Sequence, residues 1–87
     1  MTEPVSGPVP TAVRQIVDAT GLACPLPILR AKKALATLVA GEVLQVITTD
    51  RGAVRDFQAF CRQTGNELLV QQDRGESVTH YLRRRLK

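Results

Sequence analysis

Residues 21–27 read Gly-Leu-Ala-Cys-Pro-Leu-Pro and join a short apolar segment to a segment of helical periodicity. Proline is tolerated in the first turn of a helix, where backbone amides have no intrahelical acceptor. Cys24 precedes a proline, which favours an extended backbone and suits a helix cap. Its sulfur would then lie where free amides and the helix dipole favour negative charge. This pattern predicts a nucleophilic cysteine at a helix start.

The expected reactivity of Cys24 depends on its pKa. A free thiol has a pKa of about 8.5, and helix N-termini or nearby cations lower it. The helix start and the nearby Arg30 or Lys32 therefore predict a lowered pKa for this thiol. The alternative is a buried cysteine that only caps a helix. Pro25 and Pro27 favour the nucleophile, because rigid presentation of the sulfur has no evident packing purpose.

Hydrophobic periodicity predicts the order strand, helix, strand, helix, strand, strand. Asp50 is expected to cap the second helix and Gly41 to end the first, while residues 73–76 form a hairpin turn. The expected fold is an α/β two-layer sandwich, in which a four-stranded mixed sheet carries two helices on one face. The predicted elements cover residues 13–19, 27–39, 42–49, 51–64, 67–72 and 77–84.

The length of 87 residues allows one domain with a modest core. Residues 1–11 hold three prolines and a glycine and predict a disordered N-terminal arm, which leaves residues 12–87 as the single domain. No signal peptide or membrane span is visible, and the two cysteines suggest no export. The sequence therefore predicts a cytoplasmic protein with reduced thiols, and we expect a monomer.

The other chemistry-bearing residues predict structural roles. Cys61 shares an apolar stripe with Phe57, so we expect it to pack as a small hydrophobe without a disulfide to Cys24. His80 stands alone in a strand, and one satisfied ring nitrogen is expected. Two cysteines and one histidine do not supply a four-ligand zinc site. No phosphate-binding glycine loop or serine triad is present, so no metal and no cofactor is expected.

The net charge of +4 is unevenly distributed. We expect a solvated face and tail, with the residues after the cysteine as candidates for docking an acidic partner. A small RNA-binding module is an alternative, although three aromatic residues supply base stacking poorly, so direct nucleic-acid binding is not favoured. A regulatory interaction domain with a redox-sensing cysteine is a further alternative. The docking candidates after the cysteine are Arg30, Lys32 and Lys33. The basic residues of the tail are Arg83, Arg84, Arg85 and Lys87.

The stretch Asp-Ala-Thr-Gly-Leu-Ala-Cys-Pro-Leu-Pro at residues 18–27 resembles the signature of the TusA/SirA/YedF-like sulfur carriers. The resemblance continues through residues 55–57, 60–61 and 81–83 and covers about residues 14–84. It implies the two-layer fold expected above. The best-known member has arginine before the cysteine and glutamate between the prolines, where this chain has Ala23 and Leu26.

The resemblance also implies a function in sulfur transfer. Cys24 would carry a persulfide, received from a cysteine desulfurase or a rhodanese-like donor and passed to an acceptor protein. Gly21, Pro25 and Pro27 would support the motif. The pathways implied by the family include tRNA thiolation, molybdenum cofactor synthesis and sulfur oxidation.

Overall fold

The computed structural model describes residues 3–86 and contains one four-stranded sheet with two helices. The strand order is β1-β2-β4-β3, with β1 parallel to β2 and the other neighbours antiparallel. Every predicted element is present, and its bounds differ from those expected by a few residues. The elements are β1 Gln15–Ala19, α1 Leu26–Leu35, β2 Val43–Thr48, α2 Ala53–Thr64, β3 Glu67–Asp73 and β4 Val78–Arg83.

The core lies between the two helices and one face of the sheet. Alternate residues of β2 are buried against the helices, while Val43, Gln45 and Ile47 on its other face are half-buried. Such alternation is typical of a sheet that packs helices on one side only. Phe57 of α2 is fully buried and stacks on His80 of β4, with 4.5 Å between the ring centroids. The expected two-layer α/β fold is confirmed.

Helix α1 ends at Leu35, earlier than the periodicity predicts. The Thr37 hydroxyl donates to the Ala34 carbonyl oxygen at 2.7 Å, and the Arg84 guanidinium donates to the Leu35 carbonyl oxygen at 2.9 Å. These contacts occupy carbonyls that a longer helix would use for its own ladder. The expected cap at Gly41 is therefore wrong, because Ala36 is the C-cap.

Helix α2 begins one residue after Gly52, which is its N-cap. The Asp50 side chain accepts a hydrogen bond from the Gly52 amide at 3.1 Å, so it shapes the turn before the helix and is not the cap itself. At the other end Gly65 has a φ of 83° and its amide donates to the Cys61 carbonyl oxygen. Only glycine adopts this left-handed cap conformation without strain.

Two arginines of the basic C-terminus bind helix ends. Arg84 contacts the last residue of α1, and the Arg85 guanidinium donates to the Thr64 carbonyl oxygen at 2.6 Å, the last residue of α2. Cations stabilise the negative end of a helix and satisfy its free carbonyls. Arg83 pairs with Glu67 across β3 and β4. The expected solvated tail is therefore tied to the domain through Arg85, and Lys87 lies outside the described residues.

The N-terminal segment of residues 3–10 has no helix or strand, yet it contacts the folded domain. The Gln71 backbone amide donates to the Val5 carbonyl oxygen at 2.8 Å, and the Val5 amide donates to Gln71 Oε1 at 3.1 Å. Gln58 Nε2 donates to the Glu3 carbonyl oxygen at 2.7 Å. These bonds hold the predicted arm against β3 and α2, while residues 1–2 of that arm lie outside the described part.

A buried polar network joins the segment to the core. Gln71 Nε2 donates to His80 Nδ1 at 2.9 Å, which leaves the proton on Nε2 to be donated to Thr48 Oγ1 at 2.8 Å. Both ring nitrogens of His80 are satisfied, so the expectation of only one is wrong. Thr48 lies on β2 and Gln71 on β3, the two strands that flank β4. The sequence does not show that their side chains face the His80 ring.

Candidate functional site

The loop between β1 and α1 is fixed by short polar contacts. Asp18 Oδ1 accepts hydrogen bonds from the Thr20 amide at 3.0 Å and from its hydroxyl at 2.7 Å. These bonds lower the pKa of the Asp18 carboxyl. Gly21 follows with a φ of 79°, and its amide donates to Thr49 Oγ1 at 2.8 Å. The loop is therefore tied to the end of β2 before it reaches the cysteine.

Cys24 is exposed at the end of this loop. It lies one residue before the helix cap, because Pro25 is the N-cap and Leu26 the first helical residue. The expectation that Cys24 itself caps α1 is therefore wrong. Pro27 is buried in the first turn, and the Leu26 amide donates back to the Ala23 carbonyl oxygen at 2.9 Å. The cysteine is presented on a short turn supported from both sides.

Two carboxylates of the α2 start influence the Cys24 thiol. A hydrogen bond with Asp56 is the main cause that raises its pKa, followed by partial desolvation and by the charges of Asp56 and Asp50. Both acids gather around Gly52, where a β carbon would lie 3.2 Å from Asp50 Oδ2 and 3.7 Å from Asp56 Oδ2. The predicted lowering of this pKa is wrong, because Asp56 of α2 and Asp50 before it raise the pKa of the thiol.

The surface beside the cysteine is apolar. Leu26 and Leu29 of α1 are 47% and 53% exposed. Leu26 is the residue between the two prolines. Exposed apolar side chains next to a reactive group are typical of protein contact surfaces.

The three basic residues after the cysteine do not form one cluster. Arg30 and Lys33 line a cleft beside β1, together with Thr37 and Gln15. Lys32 lines a different cleft with Phe60, between the C-terminal halves of the helices. The structure therefore brings together two of the expected docking residues and places the third on another side of α1.

Cys61 lies in the core and is 6% exposed. Burial raises the pKa of its thiol to about 12, so it carries no thiolate near neutral pH. Both cysteines are free thiols. The expected packing role of Cys61 agrees with this environment.

No group of three or more histidine, cysteine, aspartate or glutamate side chains could hold a metal ion in the part of the chain that the structure describes. Within the same residues, no helix is long and apolar enough to cross a membrane.

Asp50 and Asp56 are the site residues that sequence reasoning missed. Asp56 lies within the segment at 55–57 that carries part of the family resemblance, which was a usable signal. Its contact with Cys24 depends on how α2 packs beside α1, and no local pattern reports this packing. Asp50 was assigned only a capping role.

Comparisons with known proteins agree on one family. Residues 15–84 match the family model for sulfurtransferase TusA. The chain is 56% identical over 68 residues to the sulfur carrier protein TusA of Allochromatium vinosum, covering 78% of this chain and 88% of the relative. It is 66% identical over 55 residues to a putative sulfur carrier protein of Neisseria meningitidis serogroup A, covering 63% of this chain and 74% of the relative.

A solved structure shows the same fold. The crystal structure of the SirA-like protein from Desulfitobacterium hafniense matches with a TM-score of 0.72 and 27% sequence identity. The match covers 82% of this chain and 97% of that chain. The similarity therefore extends over nearly all of the domain and beyond the cysteine loop.

Proposed function

The chain belongs to the TusA sulfurtransferase family, and on that premise we propose that it carries sulfur as a persulfide on Cys24. The observation that carries the proposal is the exposed thiol held on a turn that Gly21, Pro25 and Pro27 fix. Relatives named as sulfur carrier proteins support the role. A carrier needs an accessible sulfur and surfaces for its partners, and this domain offers both.

The transfer step needs no external oxidant. The Cys24 thiol loses its proton, and the thiolate attacks the terminal sulfur of a donor persulfide. A bond forms between Cys24 Sγ and that sulfur, while the sulfur–sulfur bond of the donor breaks. The donor leaves as a thiolate and takes up a proton. Delivery to the acceptor repeats the exchange with Cys24 as the leaving thiolate, so the oxidation level of the transferred sulfur is conserved.

The donor in this proposal is a cysteine desulfurase or a rhodanese-like protein, and the acceptor is a second protein. Thiolation of tRNA and other sulfur-trafficking routes are the pathway candidates. A direct RNA-binding role loses much of its motivation, because Arg84 and Arg85 bind the ends of the helices. The alternative of a regulatory interaction domain with a redox-sensing cysteine would rest on Cys24 alone, since Cys61 is buried.

Intact-mass spectrometry tests the proposal. Wild type, Cys24→Ala and Cys61→Ala are incubated with a purified cysteine desulfurase and cysteine. We expect a gain of one sulfur, removed by reductant, in wild type and Cys61→Ala but not in Cys24→Ala. Loading that depends on Cys61, or no loading with desulfurase and rhodanese-like donors alike, would reject the carrier role.

A further inference from the structure

The two outer edges of the sheet are built differently. The edge of β3 is partly closed by the N-terminal segment through the contacts between Val5 and Gln71, and its ladder to β4 is irregular between Leu68 and Val70. A bulge and a covering segment are common ways to prevent unwanted strand pairing. β3 is thus a protected edge.

Within residues 3–86 the edge of β1 has neither a bulge nor a covering segment. β1 pairs with β2 in an unbroken parallel register, and within residues 3–86 no other strand pairs with it. The strand contains no proline or lysine, and Ile16 in it is 60% exposed. A strand of this kind leaves a row of backbone donors and acceptors free for another chain. Within residues 3–86 the β1 edge is the less covered of the two, and it runs directly into the Cys24 loop.

A cleft of about 660 Å³ lies along this open edge, between β1 and α1. Arg30 and Lys33 line its helix side, and neither forms a salt bridge within residues 3–86. Asp18 is the acidic residue in the lining, and its hydrogen bonds from the neutral groups of Thr20 leave its charge in place, so the lining holds two cations and one anion. The cleft therefore offers two free cations beside unpaired backbone groups.

We propose that the open edge of β1 binds an extended acidic segment of the protein that exchanges sulfur with Cys24, by addition of a strand to the sheet. Backbone hydrogen bonds would supply the pairing, and acidic side chains would meet Arg30 and Lys33. The identity of the partner rests on the proposed carrier function. The binding mode rests on the sheet edge and the cleft alone.

The neighbouring lysines provide a matched pair of variants. Lys33 lines the cleft, whereas the adjacent Lys32 lines the cleft beside Phe60. Both are exposed on α1, so charge reversal changes the net charge equally and should perturb folding equally little. Ile16→Lys adds a test of the strand itself, because an exposed lysine on an edge opposes strand addition.

The probe is a synthetic peptide of alternating glutamate and threonine, with an alternating lysine and threonine peptide as its charge control. Binding is followed by backbone amide shifts and amide hydrogen exchange in nuclear magnetic resonance spectra of the full chain. We expect the acidic peptide to shift and protect β1 amides. Arg30→Glu and Lys33→Glu should weaken binding by about fivefold or more, since close charge pairs set such affinities. Ile16→Lys should also weaken it, and Lys32→Glu should have little effect.

Three outcomes would overturn the proposal: equal binding of the two peptides, protection at β3 in place of β1, or equal effects of Lys32→Glu and Lys33→Glu. A dimer in sedimentation that Ile16→Lys disrupts would assign the edge to a second copy and also overturn it. Peptide binding is measured without sulfur chemistry. Sulfur loading without peptide binding would therefore reject the docking mode alone, and the reverse result would reject only the carrier role.

Discussion

Cys24 and Cys61 are the same side chain in two opposite settings. Cys24 is exposed, and the carboxylate of Asp56 is the main cause that raises the pKa of its thiol. Cys61 is buried among apolar side chains, and loss of water is the cause that raises the pKa of its thiol to about 12. A raised pKa therefore does not by itself distinguish a structural thiol from a functional one. The solvent exposure of the sulfur and the physical cause of its pKa shift make the distinction.

The largest expected difference between the thiols is their rate of alkylation. In the folded protein at pH 8, iodoacetamide should modify Cys24 at least a hundredfold faster than Cys61, because buried amide and thiol groups react only on local opening. Peptide mass spectrometry over time measures both rates. In denaturant the rates should converge. Similar rates in the folded protein would mean that Cys61 is not shielded.

Acid should lower the stability of the fold that buries Cys61. Burial lowers the pKa of His80 to about 4, from its ordinary 6.5. The unfolded chain then binds more protons than the folded chain between these values, so stability is greatest above pH 6.5 and falls as the pH falls toward 4. From pH 7 to pH 5 this predicts a loss of about 2 kcal/mol in the free energy of unfolding.

Denaturant unfolding at the two pH values measures this loss, with His80→Gln as the control. The variant should lose this part of the pH dependence, whatever its stability at pH 7. Other groups contribute equally to both proteins and cancel in the difference. An unchanged pH dependence in the variant would show that the neutral, hydrogen-bonded ring is not the source.

Removal of each sulfur should affect stability unequally. Cys61→Ala leaves a small void beside Phe57 in the core and should cost about 1 kcal/mol in the free energy of unfolding. Cys24→Ala removes an exposed atom and should stay within about 0.5 kcal/mol. Denaturant unfolding at pH 7 compares the two variants directly. Equal losses would contradict the assigned settings.

The smallest effect concerns the electrostatics of Cys24. Asp56→Asn removes the carboxylate that raises the pKa of this thiol, so the thiolate fraction at pH 7 should rise. Alkylation of Cys24 should become severalfold faster, and Cys61 should not change. Glu76→Gln, in the exposed hairpin, is the matched control for the lost charge. A slower or unchanged rate in Asp56→Asn would remove Asp56 from the description of the site.

Local signals were sufficient for the order of elements and for placing Cys24 in the loop before α1. The apolar run in β2 and the helical spacing in α2 depend on neighbouring residues only, as does the proline pattern after Cys24. The family resemblance added the chemistry of sulfur transfer. These features reach the correct fold because local preference and tertiary packing agree over most of this chain.

The features that sequence could not reveal are contacts between distant elements. Asp56 meets Cys24 only because α2 packs beside α1, and this contact reverses the expected pKa shift. Arg84 shortens α1 from the far end of the chain. The hydrogen-bond network around His80 joins three strands and the N-terminal segment. None of these partners is within reach of a local pattern.

The unequal edges of the sheet limit how molecules of this protein associate. Growth of a fibre by strand pairing requires two free edges on each molecule, one to receive a neighbour and one to offer to the next. Here the N-terminal segment occupies part of the β3 side, so within residues 3–86 the β1 edge is the more open of the two. Pairing through β3 is opposed where the segment covers it, so repeated strand addition is less favoured than the addition of one strand at β1.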